Sequence, residues 1–117
     1  MSINMNSRAI NFTVKVGARS TLQLSIKNND GTAKSLTNDT TYSTGKWKVW
    51  NPSGTLLING TIVFTTRATG IVSYTLVAAD TVIANVGIWE GEVELKDTSG
   101  VISEQTQSFN FTIEESY

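Results

Sequence analysis

The stretch "GIWEGEVEL", residues 87–95, places three carboxylates, Glu90, Glu92 and Glu94, at every second position beside Trp89. Carboxylates this close can work as a general acid and base, or can ligate a metal ion. In an extended strand, residues two apart point to the same side. Glu90, Glu92 and Glu94 therefore share one face, and Trp89, Gly91, Val93 and Leu95 share the other. The second set reads as core, which leaves the glutamates on the solvated face. Three like charges on a dry face would be costly without partners, and an acid–base pair needs carboxylates in unlike surroundings, where these share one. Gly91 is notable because a glycine inside a strand usually makes room for a bulky neighbour; Trp47 or Trp89 could supply that bulk.

Other residues with chemical potential are few. Trp50, beside Pro52, is expected on the outer face of its strand, as a stacking platform or a partner anchor; packing under a loop is the competing reading. Tyr42 is a second candidate contact. "NNDG" and "KDTSG" carry oxygen ligands but lack the spacing of a calcium loop, and turn composition explains both. The nine glycines build no phosphate-cradling motif. With no histidine and no cysteine, Ser-His and Cys-His nucleophile pairs and the usual zinc sites are excluded. No catalytic, cofactor-binding or metal-binding residue is assigned, and the chain is read as not an enzyme.

The elements that must position these residues follow a period of two. "FTVKV" sets Phe12, Val14 and Val16 on one face, and "STLQLSIK" does so with Leu22, Leu24 and Ile26 before the turn "NNDG". Leu36 is a lone anchor in a polar connection running to about Gly45. "KWKVW" faces Trp47 and Val49 inward, with Lys46, Lys48 and Trp50 outward, and "NPSG" closes it. "TLLIN" and "TIVFTT" flank Asn59-Gly60, a dipeptide typical of two-residue hairpins. "RATG" leads into "IVSYTL", with Val72, Tyr74 and Leu76 inward. "VAADTVIANVG" breaks the alternation, with a short helical turn near Ala78 to Asp80, and the last strand aligns Phe109, Phe111 and Ile113.

Seven to nine short strands divided by turns predict an all-β, antiparallel immunoglobulin-like sandwich. Its core is expected from Phe12, Leu24, Trp47, Val49, Tyr74, Trp89, Gly91, Val93, Phe109 and Phe111. In such a sheet "GKWKVW" lies beside "GIWEGEVEL", and Lys46 and Lys48 face the glutamates as a charge ladder that fixes register. Residues 11–114 form the domain, and residues 1–10 a flexible polar arm able to dock on a neighbouring subunit as an added strand.

The 117 residues suit one domain, and the 16% of charged residues is low, with Thr, Ser, Asn and Gly supplying the polarity. A net charge of −1 offers no field for nucleic acid or anionic membranes. The polar start lacks the apolar stretch of a signal peptide, so no secretory leader is expected. The sequons at Asn11, Asn38, Asn59 and Asn110 then reflect composition rather than glycosylation.

The stretches "FTVKVGARSTLQLSI", "NNDGTAKSLT", "WNPSGTLLINGT", "TGIVSYTLVAADTVIANVGIWEGEVELKD" and "FNFTIEE", in that order, resemble the N-terminal immunoglobulin-like domain of phage baseplate upper proteins. The resemblance spans about residues 11 to 113. Trp89 stands where immunoglobulin domains carry their corner aromatic, and Gly91 takes the place of the cysteine two residues on, unlike an antibody-type domain. The resemblance implies a structural, protein-binding module of a virion, in tail or baseplate, assembled in the host cytoplasm and bound to other phage structural proteins or to copies of itself. It implies no catalytic residues. A capsid decoration protein, and a module binding host-surface glycan through Trp50 and Tyr42, are the alternatives.

Overall fold

The computed structural model describes residues 3–4, 11–106 and 108–115. Among these, ten strands form two facing sheets: β1 (Ile3–Asn4), β2 (Asn11–Lys15), β3 (Thr21–Ser25), β4 (Thr44–Trp50), β5 (Leu56–Thr61), β6 (Val63–Thr66), β7 (Ile71–Thr75), β8 (Gly87–Lys96), β9 (Ile102–Thr106) and β10 (Phe109–Glu114). In the larger sheet the ten-residue β8 is central, flanked by β4 on one side, with β5 beyond it. On its other side β9 pairs with its C-terminal half and β10 with its N-terminal half, both antiparallel. β1 adds parallel to β9, and β2 parallel to β10. The smaller sheet runs β3-β7-β6. Counting β1 with β2 and β9 with β10 as interrupted strands gives eight, inside the predicted range, in the order of an immunoglobulin-like sandwich. Of the arm, Ile3 and Asn4 pair with Gln105 and Thr106 of the same chain; its other residues lie outside the described ones.

Alternation explains the core. β3 buries Leu22 and Leu24, β4 buries Trp47 and Val49, and β10 buries Phe109, Phe111 and Ile113. Trp47 sits between the sheets, with ring centroids 5.3 Å from Phe12, 5.1 Å from Phe109 and 6.2 Å from Tyr74. Such aromatic pairs add about 0.5–1.5 kcal/mol each beyond their area. Phe12, Tyr74 and Trp89 are half-buried and pack against this cluster from its margin. Opposite the break between β9 and β10, the Val93 N–H donates to the Thr106 hydroxyl at 2.9 Å, so a side chain completes the ladder there.

Asn59-Gly60 is not a hairpin. Both residues lie within β5, and the chain passes at Ile62 from the larger sheet into β6 of the smaller one. Gly60 also lacks the positive φ that a two-residue turn of this kind needs. It is glycine for a different reason: a Cβ there would overlap the Tyr74 ring. The loop before it behaves as expected, with Gly54 at φ 89° and its N–H donating to the Asn51 carbonyl at 2.9 Å.

Candidate functional site

β4 and β8 pair with Lys46 opposite Glu94, Lys48 opposite Glu92 and Trp50 opposite Glu90. The outer face of the larger sheet therefore gathers the lysines, the glutamates and Trp50, as the alternation requires. The charges are not a uniform ladder. Lys48 Nζ crosses diagonally to both oxygens of Glu94, at 3.2 and 3.3 Å, and Lys96 Nζ stands 3.9 Å from the same carboxylate. Lys46 Nζ instead donates to Thr61 Oγ1 at 2.9 Å, and Gln105 Nε2 donates to Glu92 Oε1 at 2.9 Å.

The three glutamates do not share one environment. Glu90 is exposed and Glu92 half-buried, but Glu94 is only 5% exposed. β8 is the central strand, and the side chains of Lys48 on β4 and Lys96 on β8 itself reach the Glu94 carboxylate. Both Glu94 oxygens accept from Lys48 Nζ. The Lys48–Glu94 pair ties β4 to β8 and so contributes to fixing their register.

Gly91 does make room for a ring, but not for a tryptophan. It lies opposite Phe109 of β10, and a Cβ there would overlap the Phe109 ring and stand 2.8 Å from the Lys48 carbonyl. Trp89 faces the rim, and its Nε1–H donates to the Asn85 carbonyl at 2.8 Å. This bond back to the preceding corner does for Trp89 what a corner tyrosine does in immunoglobulin domains.

Trp50 ends β4 half-buried, between Glu90 of β8 and Leu56 of β5. Tyr42 lies beyond the other end of β4, packed against the core, with Lys34 Nζ 6.0 Å from its ring centre. The extended chain between them separates the two by on the order of 20–25 Å. They form no common platform for a ligand.

Three polar residues hold the structure at points the sequence did not mark. Lys34, in the connection from β3 to β4, pairs at 2.8 Å with Glu104 of β9, which is 2% exposed and whose Oε1 has no hydrogen-bond partner among the described residues. Burial alone would lower the Lys34 pKa, but the hydrogen bond and charge of Glu104, joined by Tyr42, together outweigh it and raise it. Arg67 Nη1 donates to the Leu36 and Tyr42 carbonyls at 3.0 and 2.9 Å, tying down the same connection. No local pattern announces these residues, because their partners lie far off in sequence.

The turn aspartates serve their own turns. Asp30 Oδ1 accepts from Thr32 N–H and hydroxyl, which hold its carboxyl below the ordinary value; Asp97 Oδ1 accepts from Ser99 and Val101 N–H. Among the described residues no three His, Cys, Asp or Glu side chains are grouped to hold a metal ion.

No protein-family model matches the chain, and no curated protein matches it. Among solved structures, the N-terminal domain of phage TP901-1 ORF48 is similar at a TM-score of 0.69 and 11% identity, over 97% of this chain and 93% of that one. CopC from Methylosinus trichosporium OB3b follows at 0.47 and 13%, over 91% of this chain and 87% of that one. Fibronectin(III)-like modules of Clostridium thermocellum CbhA follow at 0.45 and 14%, over the whole of both chains. The first likeness, with the strand order, establishes the fold: an all-β sandwich of immunoglobulin-like type.

Proposed function

We propose that the chain is a structural module of a phage virion, in the tail or baseplate, that attaches to neighbouring subunits and holds them in place. The observation that carries this reading is the likeness to the N-terminal domain of phage TP901-1 ORF48 over nearly the full length of both chains. The motifs from "FTVKVGARSTLQLSI" to "FNFTIEE" are in keeping with it, although no family model matches the chain. The physical design agrees with a scaffold: a stiff sandwich whose charged residues lock register and turns. Its partners on this reading are other structural proteins of the particle, with Trp50 and Leu56 offering an apolar contact at one end of the outer face.

The test is mass spectrometry of gradient-purified particles from the phage whose genome encodes the chain, with tails separated from capsids. Peptides from residues 87–96 are expected in the tail fraction. Their presence only on capsids would favour decoration of the shell, and their absence from particles would end the reading.

A further inference from the structure

Asn59-Gly60, which has the composition of a turn but lies inside β5, is the one asparagine–glycine pair of the chain. The glycine cannot be exchanged, because a Cβ at position 60 would overlap the Tyr74 ring. The fold therefore keeps a pair that is chemically weak. The side-chain amide of an asparagine is open to attack by the backbone nitrogen of the next residue. A glycine there puts no side chain in the way of the ring that forms. Asn59 is exposed, and β5 pairs with β4 and with no other strand among the described residues.

From this arrangement we infer that Asn59 is a latent deamidation site, closed while β5 is paired with β4 and open when β5 leaves it. The Gly60 nitrogen is the nucleophile, so its place in the ladder decides. Ile62 N–H donates to the Gly45 carbonyl at 3.1 Å, across the pair that continues the Lys46–Thr61 register. Hydrogen-bonded and non-hydrogen-bonded pairs alternate along an antiparallel ladder. Trp47 and Gly60, two positions on, are therefore a hydrogen-bonded pair, and the Gly60 N–H is committed to the Trp47 carbonyl. β4 is held on its other side by β8, so this bond opens by movement of β5, the edge strand.

Once β5 is free, the Gly60 nitrogen gives its proton to hydroxide and bonds to Asn59 Cγ. The Cγ–Nδ2 bond breaks, and the amide leaves as ammonia. Water then opens the cyclic imide. Cleavage of the new Cγ–N bond leaves aspartate; cleavage of the original peptide bond leaves isoaspartate, whose main chain runs through the side chain and is longer by one carbon. The two products meet different fates in the sheet. Asn59 lies opposite Lys48 on the outer face, so an aspartate there gains a cross-strand partner of opposite charge. Isoaspartate lengthens β5 between Ile58, which is 2% exposed, and Gly60 beneath the Tyr74 ring. Both neighbours cannot then keep their register on β4, and that product does not pair again.

Tryptic mapping of the full chain, kept at pH 8 in native buffer and in guanidinium, tests this independently of any phage. In the peptide spanning residues 49–67, Asn51 precedes Pro52, which has no N–H, so a gain of the acid mass reports Asn59 alone. Conversion in guanidinium is expected to run about tenfold faster or more than in the folded chain, as for a group exposed by opening. The aspartate and isoaspartate peptides have equal mass and separate chromatographically. After return to native buffer, the material that refolds should keep the aspartate form and be depleted of the isoaspartate form. Asn59→Asp, checked by circular dichroism, should fold with the wild-type urea midpoint. Equal conversion rates in the folded and denatured chain, or isoaspartate chains that refold as readily as the aspartate form, overturn the inference.

Discussion

The ring of Phe109 occupies the space that a side chain at position 91 would need. Gly91 and Phe109 are register partners on β8 and β10, and the ring lies over the glycine, toward Trp47 at 5.1 Å. The missing Cβ is what lets one aromatic side chain bridge two strands and reach the centre of the core.

Gly91→Ala is therefore expected to destabilise the fold by about 1–3 kcal/mol, the usual cost of forcing extra carbon into a packed core. Its better strand propensity does not offset this, because the Lys48 carbonyl blocks the other direction of relief, 2.8 Å from the new Cβ. Phe109→Leu should also destabilise, yet the double variant should recover part of the sum. Chemical denaturation of the four proteins gives a coupling energy, and additivity would show that ring and glycine are not matched.

The Lys34–Glu104 pair makes a sharper test of long-range wiring. Removing Lys34 leaves a carboxylate that is 2% exposed, and uncompensated buried charges cost about 3–5 kcal/mol. Lys34→Ala should approach the lower figure, since the lysine itself keeps some solvent access. Lys34→Met with Glu104→Leu should regain most of the loss, because an apolar pair needs neither the ion nor the orphaned Oε1. Equal urea midpoints for wild type and Lys34→Ala would contradict the burial of Glu104.

On the outer face the three glutamates should behave differently. Glu90→Gln is expected to change stability by less than about 0.5 kcal/mol, as for an exposed surface residue. Glu94→Gln should cost about 1 kcal/mol, because a covered carboxylate loses its charge-assisted bonds to Lys48. Urea denaturation at low and high salt distinguishes them, since the Glu94 effect should persist when surface charges are screened.

Period-two alternation made the sandwich legible, because each antiparallel strand buries one face: Trp47 with Val49, and Phe109 with Phe111, were readable from their spacing alone. What escaped was whatever depends on which strands become neighbours. Asn59-Gly60 has the composition of a turn, and only the place of Tyr74 in the facing sheet shows why glycine is there. Gly91 announced a bulky neighbour without naming it, since Phe109 follows eighteen residues later through a hairpin. Glu94 looked like its two companions because burial on a central strand comes from the side chains of flanking strands. Glu104 and Lys34 meet across seventy residues of sequence, and no local pattern carries such a pair.

Alkaline pH should weaken the fold, and the direction follows from two groups. Burial pushes the Tyr74 phenol above its ordinary 10.0, reinforced by its hydrogen bond to Asp80 and that carboxylate's charge. Lys34 is raised above 10.5 by Glu104, joined by Tyr42, despite its burial. Below pH 10 the folded and unfolded chains hold both protons alike, and the stabilisation is complete. As pH rises past 10.0 the unfolded chain releases the Tyr74 proton while the folded chain keeps it, so stability falls; Lys34 adds the same trend past 10.5. The urea midpoint should be flat from pH 8 to about 9.5 and decline from pH 10 to 11. Tyr74→Phe, which cannot ionise, should start lower at pH 8 because Asp80 loses a donor, and then decline less steeply. A wild-type midpoint that holds steady to pH 11, or a Tyr74→Phe slope equal to that of wild type, would show that the Tyr74–Asp80 bond does not couple proton release to folding.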